Sequence, residues 1–403
     1  MINNEILVIG GGASGLFAGG LLANKGFKVT IIDGNEKLGK KIYITGKGRC
    51  NFTNNSNNEQ FLSSVVHGNK FMMSAINQFS CQDTIETFDK LGLKSKTERG
   101  NRVFPVSDKA SDVTKALTKN AQSCDIKLNE KVLSVRKEEG YFRVTTSKDE
   151  YTFGKVIVAT GGKSYPATGS TGDGYKFAKS LGLNVISPKS ALVPIRIKDA
   201  FCKQLQGLSL KNVTLKAEFG GKKKELFGEM LFASDAITGP IALSLSSYIN
   251  ESEDVKLAID LKSALTEEQL EKRLLNEFAE NQNKNISYII KGLLPSSLVS
   301  VFLQKTGISG EKKVNSVTSE ERKRIISNLK NFTLTYAGLY EIEAGIVTSG
   351  GIDLKEINPK TMESKKVKGL YFIGEVLDID CLTGGFNLQT AFSTAYACAN
   401  NME

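Results

Sequence analysis

Tryptophan is absent from the 403 residues, and histidine occurs once, as His67. His67 lies in a polar stretch and reads as an exposed residue, so a Ser-His-Asp triad and a histidine-rich metal site are set aside. The six cysteines (Cys50, Cys81, Cys124, Cys202, Cys381 and Cys398) include no C-x-x-C pair. That removes the spacing of a zinc site or a local redox disulfide, and they read as small buried hydrophobes with no metal assigned. No run reaches about 18 uninterrupted apolar residues, so no membrane span is expected. The N-terminal stretch is apolar, but Glu5 interrupts it and no basic segment precedes it, so a signal peptide is not expected and the address is cytoplasmic. Acidic residues are the minority charge, 43 against 53 Lys and Arg, for a net charge of +10. The basic residues are dispersed, with short clusters at Lys222-Lys223-Lys224, Lys312-Lys313 and Arg322-Lys323-Arg324 and no aromatic residues interleaved. They read as solvated faces that steer an anionic ligand, and a nucleic-acid partner is set aside.

What is present is concentrated at the start. The length exceeds one ordinary core, so two or three domains are expected. Glu5-Ile6-Leu7-Val8-Ile9 is an apolar, β-branched run followed by Gly10, Gly12 and Gly15 in the spacing G-x-G-x-x-G. A second apolar run, Lys28 to Ile32, ends on Asp33. Gly10 permits the tight turn out of a strand, Gly12 lets backbone approach a pyrophosphate, and Gly15 lets a helix pack closely on the sheet. The helix N-terminus offers its free N–H groups to phosphate, and Asp33 is spaced to accept hydrogen bonds from a ribose. Strand, glycines, helix, strand and acid in that order predict a dinucleotide cofactor. Gly34 to Lys41 repeats the P-loop spacing, but Lys41 stands where Ser or Thr would hold magnesium, so that match is read as chance.

Further along, helical spacing covers 69–92 and 111–123, and strand-like runs cover 130–136 and 141–146. Lys155 to Val158 is a buried-strand pattern running into Ala159-Thr160-Gly161. Residues 164–182 read as a glycine-rich turn entering a short helix. Strands are expected at 191–197, 210–219, 225–232 and 254–260, and helices from 266 to 330, with capping starts at Thr266 and Thr318. The last stretch returns to the opening texture: Gly369 to Phe372 is an apolar strand leading into Ile373-Gly374-Glu375, and Gly384-Gly385 opens a helix over 390–400.

Four stretches, GGGASG, TGKGRCNFTN, ATGGKSYPATGSTGDGY and LYFIGEVLDIDCLTGGFNLQTAFSTA, together with VTSGGI at Val347 to Ile352, resemble the YhiN/BaiN-like flavoprotein family, also called the aminoacetone oxidase-like FAD-binding family. The resemblance runs from about residue 4 to about residue 400. It implies an α/β fold: a glutathione-reductase-type, Rossmann-like FAD-binding domain interrupted by a β-barrel-like domain and a small helical domain. The boundaries drawn on it are 1–189 for the first part of the FAD domain, 190–262 for the β-rich insert, 263–335 for the helical insert and 336–403 for the C-terminal part. Carried over by position, Gly10, Gly12, Ala13, Ser14 and Gly15 would hold the FAD pyrophosphate, Asp33 the adenosine ribose and Val132 the adenine. Ala159, Thr160 and Gly161 would line the nucleotide, and Gly374 and Glu375 would approach the ribityl and pyrophosphate. Gly385, Phe386, Asn387 and Leu388 would present helix N–H groups to the flavin edge that gains charge on reduction. Lys41, Gly46, Arg49, Cys50 and Asn51 would come close to the ribityl or the ring.

Three positions depart from the family pattern. Asp33 replaces the more usual glutamate. Phe232-Ala233-Ser234-Asp235 lacks the Thr-His that many members carry before the Asp. Cys381 replaces a small residue beside the flavin-facing turn and reads as a packing variant.

The function this implies is an FAD-dependent oxidoreductase moving a hydride between a small organic substrate and flavin N5. The reading placed first is an NAD(P)H-linked reductase or dehydrogenase of enone-type, steroid-like or bile-acid-like substrates, with NADH or NADPH as a transient donor. Oxygen-dependent oxidation of an aminoacetone-like amine is the alternative, and a non-catalytic flavin- or RNA-binding protein is the rival of another class. No second G-x-G-x-x-G unit provides a separate nicotinamide domain. The substrate is expected between the FAD domain and the inserts, with Arg49, Cys50 and Tyr165 as candidate proton donors by position. The oligomeric state is left open.

Overall fold

Apolar runs that would be costly to leave in water form one parallel sheet at the centre of the first unit. In the computed structural model, which describes residues 5–403, its strand order is Leu370–Phe372, Lys155–Val158, Glu5–Ile9, Lys28–Ile32 and Asp125–Lys127. Val8 stands between Ile157 and Ile31 in register, and Ile6, Leu7, Val8 and Ile157 are fully buried. Burial on both faces is the condition that produces near-continuous hydrophobic strands. The last strand in sequence pairs with Lys155–Val158, so the C-terminus completes the sheet that the N-terminus begins.

The chain divides into two compact units. One runs to Ala191 and resumes at Glu341; the other is Leu192–Tyr340. In the first, helix Ala13–Asn24 and the C-terminal helix Phe386–Asn400 pack through an aromatic cluster. The Phe17 ring lies 5.3 Å from Phe79 and 5.3 Å from Phe392. The helix read over 69–92 is two helices, Asn69–Gln78 and Cys81–Lys90. Phe79 is extended between them, and Ser80 and Asp83 form a capping box that starts the second (Ser80 N–H to Asp83 Oδ2, 2.8 Å). A capping signal inside a periodic run outweighed the run.

The strand read over 191–197 is also divided. Val185–Ala191 pairs with Val347–Ile352 in the first unit, whereas Ile195–Ile197 belongs to the second. Leu192, with φ of 53°, and Pro194 interrupt the ladder between them.

The second unit is a closed antiparallel barrel of six strands in the order Ile195–Ile197, Ala236–Thr238, Lys222–Phe232, Ser209–Phe219, Val255–Asp260 and Phe332–Leu339. Closure leaves no edge strand open. The closing strand, Phe332–Leu339, follows four helices (Glu267–Glu280, Ile286–Leu293, Ser296–Thr306 and Ser319–Lys330), which are thus an excursion between two barrel strands. Thr266 and Thr318 make the expected capping boxes, each hydroxyl accepting from the N–H three residues on at 3.2 Å. Among the described residues, no helix is long and apolar enough to cross a membrane.

Candidate functional site

The turn after the first strand is built for close approach. Gly10 N–H donates to the Ile32 carbonyl at 2.9 Å, tying the turn to the second strand. A Cβ on Gly15 would stand 1.9 Å from the Gly10 carbonyl oxygen, so only glycine lets this helix seat on the turn. A Cβ on Gly12 would meet nothing within 4 Å. The helix that starts at Ala13 has no side-chain cap, which leaves its first N–H groups and the positive end of its dipole toward that open space.

Asp33 is locked in place: Oδ2 accepts from Gly11 N–H at 2.7 Å, and Oδ1 accepts from Asn35 N–H at 2.8 Å and from Asn35 Nδ2 at 2.9 Å. A carboxylate has about four acceptor positions, so room remains for a sugar hydroxyl. Ala159 N–H donates to the Ile9 carbonyl at 2.9 Å, which brings Ala159-Thr160-Gly161 beside the turn. The Thr160 hydroxyl is buried without a partner, and Val132 is buried at the start of the strand Val132–Lys137. An open glycine, an uncapped helix and an oriented carboxylate fit the pyrophosphate and ribose of a dinucleotide.

A second cluster joins four distant segments. Lys41 Nζ meets Glu375 Oε2 at 2.7 Å and donates to Ser164 Oγ at 2.6 Å. Ser164 Oγ donates to Glu375 Oε1 at 3.0 Å, and Thr348 N–H donates to the same oxygen at 3.0 Å. Lys163 N–H then donates to Thr348 Oγ1 at 2.7 Å. Lys41 and Glu375, both half-buried, were legible in the sequence; Ser164 and Thr348 were not, since neither spacing nor charge marks them. Beside them, Gly374 abuts Ser14: a Cβ there would lie 2.7 Å from Ser14 Oγ.

The third cluster surrounds Gly384-Gly385, which opens the C-terminal helix at Phe386, four residues before the expected start at 390. Gly385, at φ of 96°, is the N-cap, and no side chain caps the helix. A Cβ on Gly385 would lie 2.2 Å from the Thr53 carbonyl oxygen and 2.9 Å from Asn51 Oδ1. Asn51 is held there by Val103 N–H, which donates to its Oδ1 at 3.1 Å. Asn54 Nδ2 donates to the Gly384 carbonyl at 2.9 Å. Asn387 grips the preceding turn by accepting from Cys381 N–H at 3.0 Å and donating to the Cys381 carbonyl at 2.9 Å. Phe386 and Leu388 are half-buried. Cys381 is fully buried with its Sγ 3.3 Å from Thr390 Oγ1, and burial pushes its thiol up to about 12.

The three candidate proton donors differ in availability. Arg49 is committed: Nε donates to Asp108 Oδ1 at 2.8 Å, Nη1 to Glu98 Oε2 at 3.2 Å, and the guanidinium lies 4.2 Å over the Phe104 ring. Hydrogen bonds to Glu98 and then Asp108 hold it well above the ordinary guanidinium value. Cys50 has no exposed surface, and burial pushes its thiol up to about 12. Tyr165 is exposed, at φ of 52°. Gly46, at φ of 56°, lies in the loop between Lys41 and Arg49.

His67 corrects the sequence reading. It is not a bland exposed residue: Nδ1 lies 2.6 Å from Asp380 Oδ1, and Ser349 Oγ lies 3.3 Å from the same nitrogen. Asp380 is fully buried, and burial holds the neighbouring Asp378 above the usual carboxylate range. The pair forms because Val65–His67 and Asp380–Cys381 are paired strands. Two acids beside the Gly-Gly turn were the available signal, but their partner is 313 residues away. In the second unit, Asp235 of the departing Phe232–Asp235 segment accepts from the Tyr340 hydroxyl at 2.8 Å.

A family model described as the HI0933-like protein Rossmann domain matches residues 4–401. The chain is 33% identical over 405 residues to a Haemophilus influenzae protein named ribosomal RNA dihydrouridine synthase, with 98% of each chain covered. It is 29% identical over 404 residues to a Clostridium scindens protein named 3-dehydro-bile acid delta(4,6)-reductase, covering 98% of this chain and 97% of that one. Among solved structures it is similar to the 3-ketosteroid-delta4-(5alpha)-dehydrogenase of Rhodococcus jostii RHA1 in complex with 4-androstene-3,17-dione, with a TM-score of 0.50 and 13% identity over 98% of this chain and 97% of that one. At that identity the likeness speaks for the fold.

Proposed function

The chain belongs to the HI0933-like family of FAD-binding oxidoreductases, and from that premise we propose that it reduces a carbon–carbon double bond conjugated to a carbonyl, with the uracil base of ribosomal RNA as substrate. One observation carries this reading. Two relatives that match over their whole length are named for substrates that share one electronic feature. Saturating uridine to dihydrouridine places a hydride on the carbon β to a carbonyl and a proton on the carbon α to it. The delta-4 bond of a 3-keto bile acid is reduced in the same way, and the delta-6 bond one vinylogous step further, with hydride on the δ carbon and a proton on the γ carbon. The higher identity belongs to the relative named for RNA, and a chain of net charge +10 suits a polyanionic substrate.

When bound, FAD supplies the hydride that such a reduction needs. The chain's own residues would do the rest. Gly10 to Gly15 would take the pyrophosphate on the open turn, Asp33 the ribose, and Val132 with Ala159 to Gly161 the adenosine end. Lys41 and Glu375, bridged by Ser164, would fix the middle of the cofactor. The uncapped helix start at Gly385 to Leu388 would offer positive potential where negative charge collects. For the proton, we assign His67: the buried Asp380 carboxylate orients its ring, and it adjoins the strand that leads into the Gly-Gly turn. Arg49 and Cys50 are left structural, one by its ion pairs and the other by burial.

A steroid-like enone is the second reading, favoured by the bile-acid reductase relative. The two separate in one experiment. The FAD-loaded protein is reduced under nitrogen with NADPH or NADH, and then an unmodified ribosomal RNA transcript or a steroid 4,6-dien-3-one is added. Return of the oxidised flavin band with RNA but not with the steroid is the expected result. The reverse would favour the steroid reading, and no return with either would remove the conjugated-alkene assignment.

A further inference from the structure

We propose that the helical excursion of the inserted unit carries an RNA-binding groove centred on Tyr288, an inference that rests on the RNA reading above and gives it a docking surface. A groove of about 1020 Å³ lies among helix Ile286–Leu293, helix Ser296–Thr306 and the segment around Ile308–Lys313. Tyr288 and Lys291, three residues apart, line it from one face of the first helix, and Lys284 lines it from just before that helix starts. The other face, Ile286, Ile289, Ile290 and Leu293, is buried. Lys313 lines the groove from the opposite segment, which is pinned to the helix start by an Asn285–Lys313 bridge and by Ile286 N–H donating to the Lys312 carbonyl at 2.8 Å.

The charge is one-sided. Three lysines line the groove and no carboxylate does. Lys312, by contrast, is turned to Glu321 at 2.7 Å and does not line it. Tyr288 is 57% exposed, and Lys284 Nζ lies 5.6 Å from its centroid. A flat aromatic ring between lysines, with Gln304 at the side, is the combination that holds single-stranded nucleic acid: phosphates on the ammonium groups and a base stacked on the ring. An apolar helix or peptide would bury these ammonium groups unpaired, at a cost that a polyanion avoids.

The test uses the full FAD-loaded chain and a fluorescein-labelled RNA of about 20 nucleotides, titrated by anisotropy from about 50 to about 300 mM NaCl. The triple variant Lys284→Gln, Lys291→Gln, Lys313→Gln is expected to lose at least about tenfold in affinity near 0.1 M salt, and to lower the slope of log K against log salt by about 2, three contacts at about 0.7 each. Tyr288→Ala is expected to lose about tenfold with the slope unchanged, and Tyr288→Phe to retain binding, since stacking needs the ring and not the hydroxyl. Flavin absorbance per chain and melting temperature check that each variant folds. The hairpin variant Lys222→Gln, Lys223→Gln, Lys224→Gln removes equal charge elsewhere and is expected to bind nearly as wild type. Wild-type binding by the groove variants, or equal loss in the hairpin variant, would overturn the groove while leaving the RNA reading intact. A wild-type chain that binds no RNA at any salt would overturn both.

Discussion

Gly12 and Gly15 are three residues apart, yet a methyl group means opposite things at the two positions. At Gly15 it would strike the Gly10 carbonyl at 1.9 Å, so Gly15→Ala is expected to cost about 2–3 kcal/mol and to lose flavin as a consequence. At Gly12 the methyl would enter open space, so Gly12→Ala is expected to melt like the cofactor-free wild type while holding far less flavin. Melting temperature and flavin absorbance per chain read the two effects separately; equal behaviour would contradict the assignment of Gly12 to the pyrophosphate. Residue-level legibility follows from spacing. The glycines and Asp33 were readable because turn, helix and strand lie within about thirty residues, the length of one β-α-β unit. His67 was not, because its partner Asp380 arrives only through a strand pairing across the sequence. His67→Gln is expected to leave flavin reduction by NADPH near wild type and to slow reoxidation by the substrate about 100-fold. Equal slowing of both half-reactions would make the residue structural.

At the scale of elements, local signals and tertiary pairing competed. Thr266 and Thr318 were read as helix starts from their capping patterns, and both form capping boxes. The same type of signal at Ser80 is masked in the sequence by the continuous apolar period around it. The C-terminal helix starts at Phe386 because Gly385 can adopt φ of 96° there, which no period in the sequence announces. The barrel strand Phe332–Leu339 carries no local signal of its place, because its two neighbours, Val255–Asp260 and Ile195–Ile197, are remote in sequence. Beside Asn54, the Gly-Gly turn is held by Asn387, which both accepts from and donates to Cys381. Asn387→Ala leaves a buried N–H and carbonyl without partners and is expected to cost about 2–3 kcal/mol. It is also expected to weaken flavin retention, whereas Asn387→Asp keeps the acceptor and loses less. Urea melts with flavin release read both, and an unchanged midpoint for the alanine variant would show that the turn holds itself.

For the molecule as a whole, the order of elements was legible because the opening and closing texts are both α/β, so the sheet could be read as resuming after an insertion. The substrate was not legible for a physical reason: FAD carries the reactive atom, so the chain's recognisable chemistry is cofactor binding and little in the text records what the hydride meets. Charge is distributed in a way that only the fold displays. The lysines at 284, 291 and 313 are scattered in the sequence and gather around Tyr288 only when the helix winds and the Lys313 segment pairs back onto it. The reaction proposed for this flavoprotein is the saturation of a uracil ring in ribosomal RNA. Its most direct test is nucleoside mass spectrometry of an unmodified ribosomal RNA transcript, after anaerobic incubation with the FAD-loaded protein and NADPH. Dihydrouridine accumulating at a discrete position, in step with the NADPH consumed, is the predicted result; a transcript whose uridines all remain unsaturated while the flavin cycles on another acceptor would contradict it.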